Sequence, residues 1–406
     1  MTEKYLAQPD LDFIAQVRNL GGETLKKCYQ CATCSVACPI APEDSPFPRK
    51  EMIAASWGLK DRLLNSGDIW LCHQCGDCTD LCPRGAAPGD VLSAVRSAAI
   101  TEYATPKALA NAVNDPKKLP LLLGIPAIWF AILAFITMNA GDTMTKLFDA
   151  VFGNILGGRL QWSHAHDGAE HVISHANFFS TWFVDITFVP TALFATIVFF
   201  LGLKRFLNDI HSNAVLEGKT DKTTINYKEL FQALIRVIPT VLKHDKFNEC
   251  ESNKDRATPH MMVLFSFIGL FIVTAVAGSL LYLGNLPGPY TFVNPIKWLA
   301  NIAGPALVIG SGLMIKNRLD KKDDQITFYK DWFILGVVFA LGLTGMLTEM
   351  ARIAHMEYIS YFFYYLHLIA IFELFAFLPF SKMAHLVYRL TAMAYAEYGK
   401  DRKSVV

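Results

Sequence analysis

CYQCATCSVACP, residues 28–39, and CHQCGDCTDLCP, residues 72–83, carry one pattern twice. In each, three cysteines stand two residues apart, a fourth follows after three more, and a proline comes next. The first run is Cys28, Cys31, Cys34 and Cys38 before Pro39; the second is Cys72, Cys75, Cys78 and Cys82 before Pro83. Three thiolates at that spacing let a single tight loop wrap one corner of an iron–sulfur cube. Structural zinc favours two cysteine pairs separated by a longer linker, which neither run provides. Disulfides are disfavoured in a segment kept on the cytoplasmic side, where these residues are expected. The ninth cysteine, Cys250, reads as a free thiol without a special role.

In two-cluster ferredoxins the fourth cysteine, turned away by its proline, reaches the other cube. On that pattern Cys28, Cys31, Cys34 and Cys82 hold one [4Fe–4S] cluster, and Cys72, Cys75, Cys78 and Cys38 hold the second. Residues 47–65 between the runs, FPRKEMIAASWGLKDRLLN, are helix-rich and lack strand alternation. An all-helical ferredoxin unit over residues 1–118 is therefore expected. No Cys-x-x-Cys-His occurs, so covalent c-type haem is excluded, and no glycine-rich dinucleotide fingerprint follows a strand. Flavin or nicotinamide chemistry must then belong to another protein.

The remaining chain has a different solvent. Of 406 residues, 52% are hydrophobic and only 18% charged, with mean hydropathy +0.30; ordinary soluble domains carry about 25% charge. Disorder is excluded by this hydrophobicity. With 37 basic against 36 acidic residues there is no basic excess, so nucleic acid is not an expected partner. Six apolar runs of bilayer length follow, at about 119–140, 178–203, 261–284, 296–315, 332–351 and 358–381. Each must be a helix, because only helices and closed barrels satisfy backbone polar groups in lipid. The whole fold is thus expected to be all-α.

The opening MTEKYLAQPDLDF carries acids and no apolar core, so a signal peptide is not expected. With the N-terminus inside, residues 204–259, 316–331 and those from Lys382 onward hold 20 Lys and Arg, against 4 in the outer stretches (Lys146, Arg159, Lys297, Arg352). The positive-inside bias then places both termini in the cytoplasm and the six spans in the cytoplasmic (inner) membrane. The expected organisation is a ferredoxin unit at 1–118, a transmembrane domain at 119–381 with an inner amphipathic loop at 204–259, and a cytoplasmic tail at 382–406. Within the loop, residues 225–242 put Leu230, Phe231, Leu234, Ile235 and Ile238 on one helical face. That face suits the membrane surface, a partner subunit or the protein's own inner side.

Clusters joined to six helices need an electron carrier inside the bilayer, and histidines facing one another across a bundle commonly ligate b-type haem. His367 and His385 are 18 residues apart, five turns on one continuous helix, hence about 27 Å along one face. His260, at the inner start of the third span, shares the depth of His385, and the two form the expected inner haem pair. His367 needs an outer partner, with His175 first, then His171 and His355; it also reads as a core histidine bonded to a carbonyl. His164 and His166 read as surface histidines. Acids inside spans are costly and tend to line cavities or proton paths; Asp185, Glu349 and Glu373 qualify, and Glu373 is the candidate for proton exchange with a quinone. Arg352 and His355 stand where propionates or a quinone headgroup could be held.

A doubled cysteine run fused to a six-helix cytochrome b resembles the membrane-bound C component of the quinone-interacting membrane-bound oxidoreductases (Qmo) of sulfate-reducing prokaryotes. That component is similar to the iron–sulfur and membrane cytochrome subunits of heterodisulfide reductase joined end to end. Its membrane part is similar to the gamma subunit of respiratory nitrate reductase. The resemblance implies two [4Fe–4S] clusters, one or two b haems, exchange with menaquinone, the flavin-containing iron–sulfur A and B subunits as partners, and adenylylsulfate reductase as the eventual soluble partner. In the nitrate reductase protein two histidines on one helix face two on another. His260, His367 and His385 match three of the four, and the fourth falls near Leu270, which cannot ligate iron. Either the outer haem takes a ligand such as His175, or one haem is present. A heterodisulfide-reductase-type membrane protein with another carrier, and an iron–sulfur membrane sensor or scaffold, are the other readings.

Overall fold

The computed structural model describes residues 8–42, 46–152, 173–244, 256–284, 286, 288, 290–320 and 328–403. His164, His166, His171 and Cys250 lie outside them. The described residues form helices and no strand. The N-terminal unit comprises α1 (Leu11–Asn19), α2 (Thr33–Val36), α3 (Arg49–Ser56), α4 (Lys60–Leu64), α5 (Asp68–Leu71), α6 (Asp77–Asp80), α7 (Pro88–Tyr103) and α8 (Lys107–Asn114). Helix α7 is its axis: Val91, Leu92, Val95, Ala98 and Ala99 are buried against Phe13, Val17, Met52, Leu63 and Trp70. The ends of these short helices are fixed locally. Asp10 caps α1 by accepting from the Phe13 amide at 2.8 Å, and Pro88 opens α7 where a missing N–H costs nothing.

Next come α9 (Leu119–Phe152), α10 (His175–Phe178), α11 (Thr181–Leu216), α12 (Tyr227–Lys243), α13 (Ala257–Tyr282), α14 (Pro295–Leu319), α15 (Tyr329–Ile353), α16 (Glu357–Phe377) and α17 (His385–Lys403). Among the described residues six helices are long and apolar enough to cross a membrane: Pro116–Ala140, Thr181–Leu216, Ala257–Tyr282, Pro295–Leu319, Tyr329–Ile353 and Glu357–Phe380. They coincide with the six apolar runs read from the sequence.

Helix α11 has 36 residues and is about 54 Å long at 1.5 Å per residue, against a hydrocarbon core of about 30 Å. Its surplus carries Phe206 and Ile210 into the core of the N-terminal unit, with Ala384, Tyr388 and Ala392 from the region of α17. The Trp70 ring stacks on Tyr388 at 5.1 Å and meets Phe206 edge-on at 5.9 Å. His211 bonds the Tyr395 hydroxyl at 2.8 Å. Residues 385–403, read from the sequence as a tail, are thus a helix wedged between the ferredoxin-like unit, α11 and α12.

Helix α12 runs back along α17. The Asn226 amide donates to the Tyr398 hydroxyl at 2.9 Å at one end, and His244 lies beside His385 at the other. Its buried face is Leu230, Ala233 and Val237, whereas Phe231, Ile235 and Ile238 are exposed.

The expected continuous helix from His367 to His385 is not there. Helix α16 ends at Phe377, two single 3₁₀ turns follow at Leu378–Phe380 and Lys382–Ala384, and α17 starts at His385. Pro379 cannot donate to the ladder, and Ser381 adopts an extended ψ of 175° while its hydroxyl accepts from the Met383 amide. The two histidines therefore do not share one helical face.

A buried ammonium joins the two halves, beside an ion cluster of the membrane half. Lys330 Nζ donates to the Leu20 carbonyl at 3.0 Å and to Ser97 Oγ at 2.5 Å, both in the N-terminal unit. Asp331 next to it accepts from Lys382 Nζ at 2.5 Å and lies 3.8 Å from Arg318.

Candidate functional site

The eight cysteines of the two runs fall into two sets around two pockets. One is lined by Cys28, Cys31, Cys34 and Cys82, with Arg49 and Arg84. The other is lined by Cys38, Cys72, Cys75 and Cys78, with Asp77, His73 and Gln74. Local backbone makes each rim: Gln30, Ala32 and Gln74 have positive φ, as does Gly76, so the chain folds tightly between successive cysteines. Amides already point at sulfur, Gln74 N to Cys72 Sγ and Ala86 N to Cys82 Sγ, each at 3.3 Å.

None of the eight thiols is in a disulfide. Burial first, and neighbouring sulfurs as well, push the Cys34 and Cys38 thiols up to about 11 and Cys78 further in the same direction. Among the described residues no three His, Cys, Asp or Glu side chains converge as a single-ion site. One ion needs ligands meeting at about 2.3 Å from one point, whereas a cube spreads four sulfurs over separate corners. Four thiols lining each pocket are the donor set that a [4Fe–4S] cluster takes.

The second set stands against the membrane half. Cys72, His73 and Gln74 line the thiol pocket on one side and a cavity of about 260 Å³ on the other. This inner cavity is also lined by His260 and His385, by Arg96, Arg256, Arg318, Lys382 and Arg389, and by an apolar wall that includes Val263, Ile334 and Val338. A smaller neighbouring cavity is lined by His73, His244, His260 and His385. His385 donates from Nδ1 to the Lys382 carbonyl at 2.5 Å, an orientation that turns Nε2 away from the backbone. Burial, opposed by that bond, pushes its imidazolium down to about 3, so the ring is neutral. His260 Nδ1 pairs with His244 Nε2 at 2.8 Å. Such outer bonds fix ring orientation and are the usual support of a metal-ligating histidine. The two histidines share cavities edged by cations and fit a b haem.

The outer pair differs. His367 Nδ1 faces the Leu341 carbonyl at 3.0 Å and Thr344 Oγ1 at 3.2 Å, and its ring lies against Gly345, where an added Cβ would meet Cε1 at 2.9 Å. It lines neither the inner cavity nor the outer one. Leu270 packs at that depth with Leu307, Val338, Leu341 and Ala370. His175 Nε2 bonds Ser360 Oγ at 2.9 Å and its ring lies 4.6 Å from Tyr364. Burial, then the Arg352 charge, pushes it down to about 4. It lines an outer cavity of about 350 Å³ with Lys297, Glu349, Arg352 and Tyr290 over apolar Val273, Ala277 and Ile296. Of the two, His175 lines this outer cavity and His367 does not.

The three in-span acids part company. Asp185 accepts from the Tyr282 hydroxyl, and Glu349 is held by Lys297 and by Arg352 at 3.2 Å. Glu373 is 2% exposed with neither carboxyl oxygen bonded, and it too lines neither cavity. His355 is an exposed residue with φ +56° just past α15. Sequence reasoning missed His244 and the three arginines Arg96, Arg256 and Arg389. No periodicity marks His244, which reaches His260 only because α12 doubles back along α17.

A family of 4Fe–4S dicluster domains matches residues 24–86. Over 89 residues the chain is 38% identical to a C-subunit-like protein of heterodisulfide reductase from Archaeoglobus profundus, covering 22% of this chain and 47% of that protein. It is 33% identical over 91 residues to the C subunit of the H(2):CoB-CoM heterodisulfide,ferredoxin reductase of Methanothermobacter marburgensis, covering 22% and 49%. It is 34% identical over 100 residues to the C subunit of the ferredoxin:CoB-CoM heterodisulfide reductase of Methanosarcina acetivorans, covering 24% and 38%. The chain spans about half the length or less of the curated relatives it matches. No solved structure matches it. The N-terminal unit is therefore a 4Fe–4S dicluster domain similar to heterodisulfide reductase C subunits, carried on a chain with six candidate membrane helices.

Proposed function

We propose that this chain is the membrane electron-transfer subunit of a respiratory oxidoreductase, passing electrons between menaquinone and iron–sulfur partner subunits. The observation that carries the reading is the shared wall. Cys72, His73 and Gln74 separate a four-thiol pocket from a cavity bearing His260 and His385, which gives the membrane half a short route to the clusters.

In this reading Cys28, Cys31, Cys34 and Cys82 hold one [4Fe–4S] cluster, and Cys38, Cys72, Cys75 and Cys78 the other. His260 and His385 would hold one b haem, oriented through His244 and the Lys382 carbonyl. When bound, these groups supply one-electron transfer. The substrate is a quinol, which loses two electrons and two protons to become the quinone. The outer cavity suits its headgroup: His175 is neutral and can accept a proton, the Lys297–Glu349–Arg352 cluster offers donors and an acceptor, and the apolar wall suits the ring and tail. Glu373, buried and unbonded, is proposed to exchange a proton during quinone turnover. Electrons leave to flavin-containing iron–sulfur subunits, and through them to adenylylsulfate reductase, as in the quinone-interacting membrane-bound oxidoreductases. The names of the curated relatives favour a second reading, a heterodisulfide-reductase-type complex with another carrier.

The test is cofactor content after anaerobic purification in detergent. The reading expects about eight iron and eight sulfide per chain and one b haem, and His385→Ala should lose the haem while keeping iron and sulfide. Wild-type protein replete in iron but free of haem would overturn the membrane half of the reading and leave a sensor or scaffold.

A further inference from the structure

Three arginines converge on the main chain that carries Cys72. Arg96, from α7, donates from Nη1 to the carbonyls of Ile69 at 2.8 Å and Cys72 at 3.2 Å, and from Nη2 to Gln74 Oε1 at 3.3 Å. Arg389, from α17, donates to the carbonyls of Cys72 at 3.3 Å and Leu71 at 3.4 Å. Arg256, at the foot of α13, donates to the Gln74 carbonyl at 3.4 Å. Two of the three come from the membrane half.

The carbonyls of residues 71, 72 and 74 are thereby turned toward the cations. Meanwhile the Gln74 amide donates toward Cys72 Sγ at 3.3 Å. Positive charge and N–H groups directed at sulfur both favour the more negative, reduced state of a cluster. Opposing charge at this pocket comes from buried Asp77, with Asp90 beyond it taking the Gln74 side-chain amide at 2.8 Å. The three arginines do not line this thiol pocket but stand behind its Cys72–Gln74 wall, in the neighbouring cavity, whereas the other thiol pocket is lined by two cations, Arg49 and Arg84, both exposed to solvent. Solvent and salt screen exposed charges far more than half-buried ones such as Arg96, Arg256 and Arg389.

We infer that Arg96, Arg256 and Arg389 form a cationic clamp that raises the reduction potential of the cluster held by Cys38, Cys72, Cys75 and Cys78, so that seating the dicluster domain on the membrane half tunes that cluster as the electron acceptor next to the bilayer. The inference rests on the cluster assignment made above. With the cluster bound, one electron would arrive from a membrane-side donor without a proton, and Arg96, Arg256 and Arg389 would offset the added negative charge.

The experiment is a redox titration of the anaerobically purified full chain, poised with chemical mediators and read by electron paramagnetic resonance. A Cys38→Ser variant identifies which signal belongs to the clamped cluster. Arg389→Gln should lower that cluster's potential, so that where wild type is half reduced its reduced-to-oxidised ratio falls about tenfold, a shift of about 59 mV for one electron. Arg389→Lys keeps the charge and should retain most of the wild-type potential, and Arg49→Gln should leave this cluster unmoved. Equal shifts for Arg389→Gln and Arg389→Lys would mean packing rather than charge, and would overturn the inference, as would no shift at all. Absence of two cluster signals in wild type would instead overturn the assignment beneath it.

Discussion

Asp331→Asn removes a carboxylate at the junction between the dicluster domain and the bundle while keeping its size. Asp331 is 6% exposed. It accepts from Lys382 at 2.5 Å, sits 3.8 Å from Arg318, and lies next in sequence to Lys330, whose ammonium is bound to Leu20 and Ser97 of the dicluster domain. The substitution leaves three cations clustered in a largely buried site without the anion that sits among them. Breaking a buried pair by removing one partner costs about 3–5 kcal/mol, because the remaining charge is desolvated without compensation. At about 1.4 kcal/mol per decade that is a change of more than about a hundredfold in the docked-to-undocked ratio. Hydrogen exchange in detergent reads it directly: amides of α7 and of residues 20–22 should exchange faster by about two orders of magnitude, with little change in α13 or α14. A companion Asp331→Leu, which replaces the anion with apolar volume, should be at least as damaging. Protection unchanged to within about threefold for Asp331→Asn would refute the claim that this carboxylate organises the junction.

Interleaved cluster binding predicts that Cys82→Ser destroys the cluster of the first run and spares the second, and that Cys38→Ser does the reverse; resonance spectra of the two variants would show it, and loss within the run that was mutated would contradict it. Glu51 is 3% exposed in the dicluster core, and burial lifts its carboxyl from an ordinary 4.5 to about 8. The folded state then binds more protons than the unfolded one, so this group's contribution is greatest below pH 4.5 and is lost as pH rises toward 8. Glu51→Gln should change stability little at about pH 5 and raise it by about 1–3 kcal/mol at about pH 8, measured as a pH series of thermal or denaturant unfolding. Gly202 lies directly beneath the Tyr388 hydroxyl, where a Cβ would collide. Gly202→Ala should therefore cost about 1–3 kcal/mol through overpacking between α11 and α17, read as a lowered unfolding midpoint.

What was legible in the sequence was local. Cysteine spacing dictates which loops can wrap a cube, so both runs stood out, and apolar runs of bilayer length located six helices, though the first and second helices run on to Phe152 and Leu216, well past the runs at 119–140 and 178–203. The all-helical character of residues 47–65 was equally plain from the missing alternation. The 18-residue spacing of His367 and His385 misled because an apolar run across Leu378-Pro379-Phe380-Ser381 hides a break that one proline and one hydroxyl cap suffice to make. Arg256 was invisible because its partner, the Gln74 carbonyl, lies 182 residues away, and His244 because it meets His260, 16 residues on, only after α12 reverses along α17. Residues 385–403 looked like a charged tail since the apolar groups that dock it, Tyr388 and Ala392, are few and surrounded by polar ones.

The central claim is that electrons from a membrane quinol enter this chain. The most direct measurement is the absorbance difference spectrum of the anaerobic, detergent-purified protein after addition of a menaquinol analogue, with haem quantified by extraction. The account predicts a reduced b-type band from one haem per chain, lost in His260→Ala. A haem present in full amount that dithionite reduces and the quinol leaves untouched would contradict it.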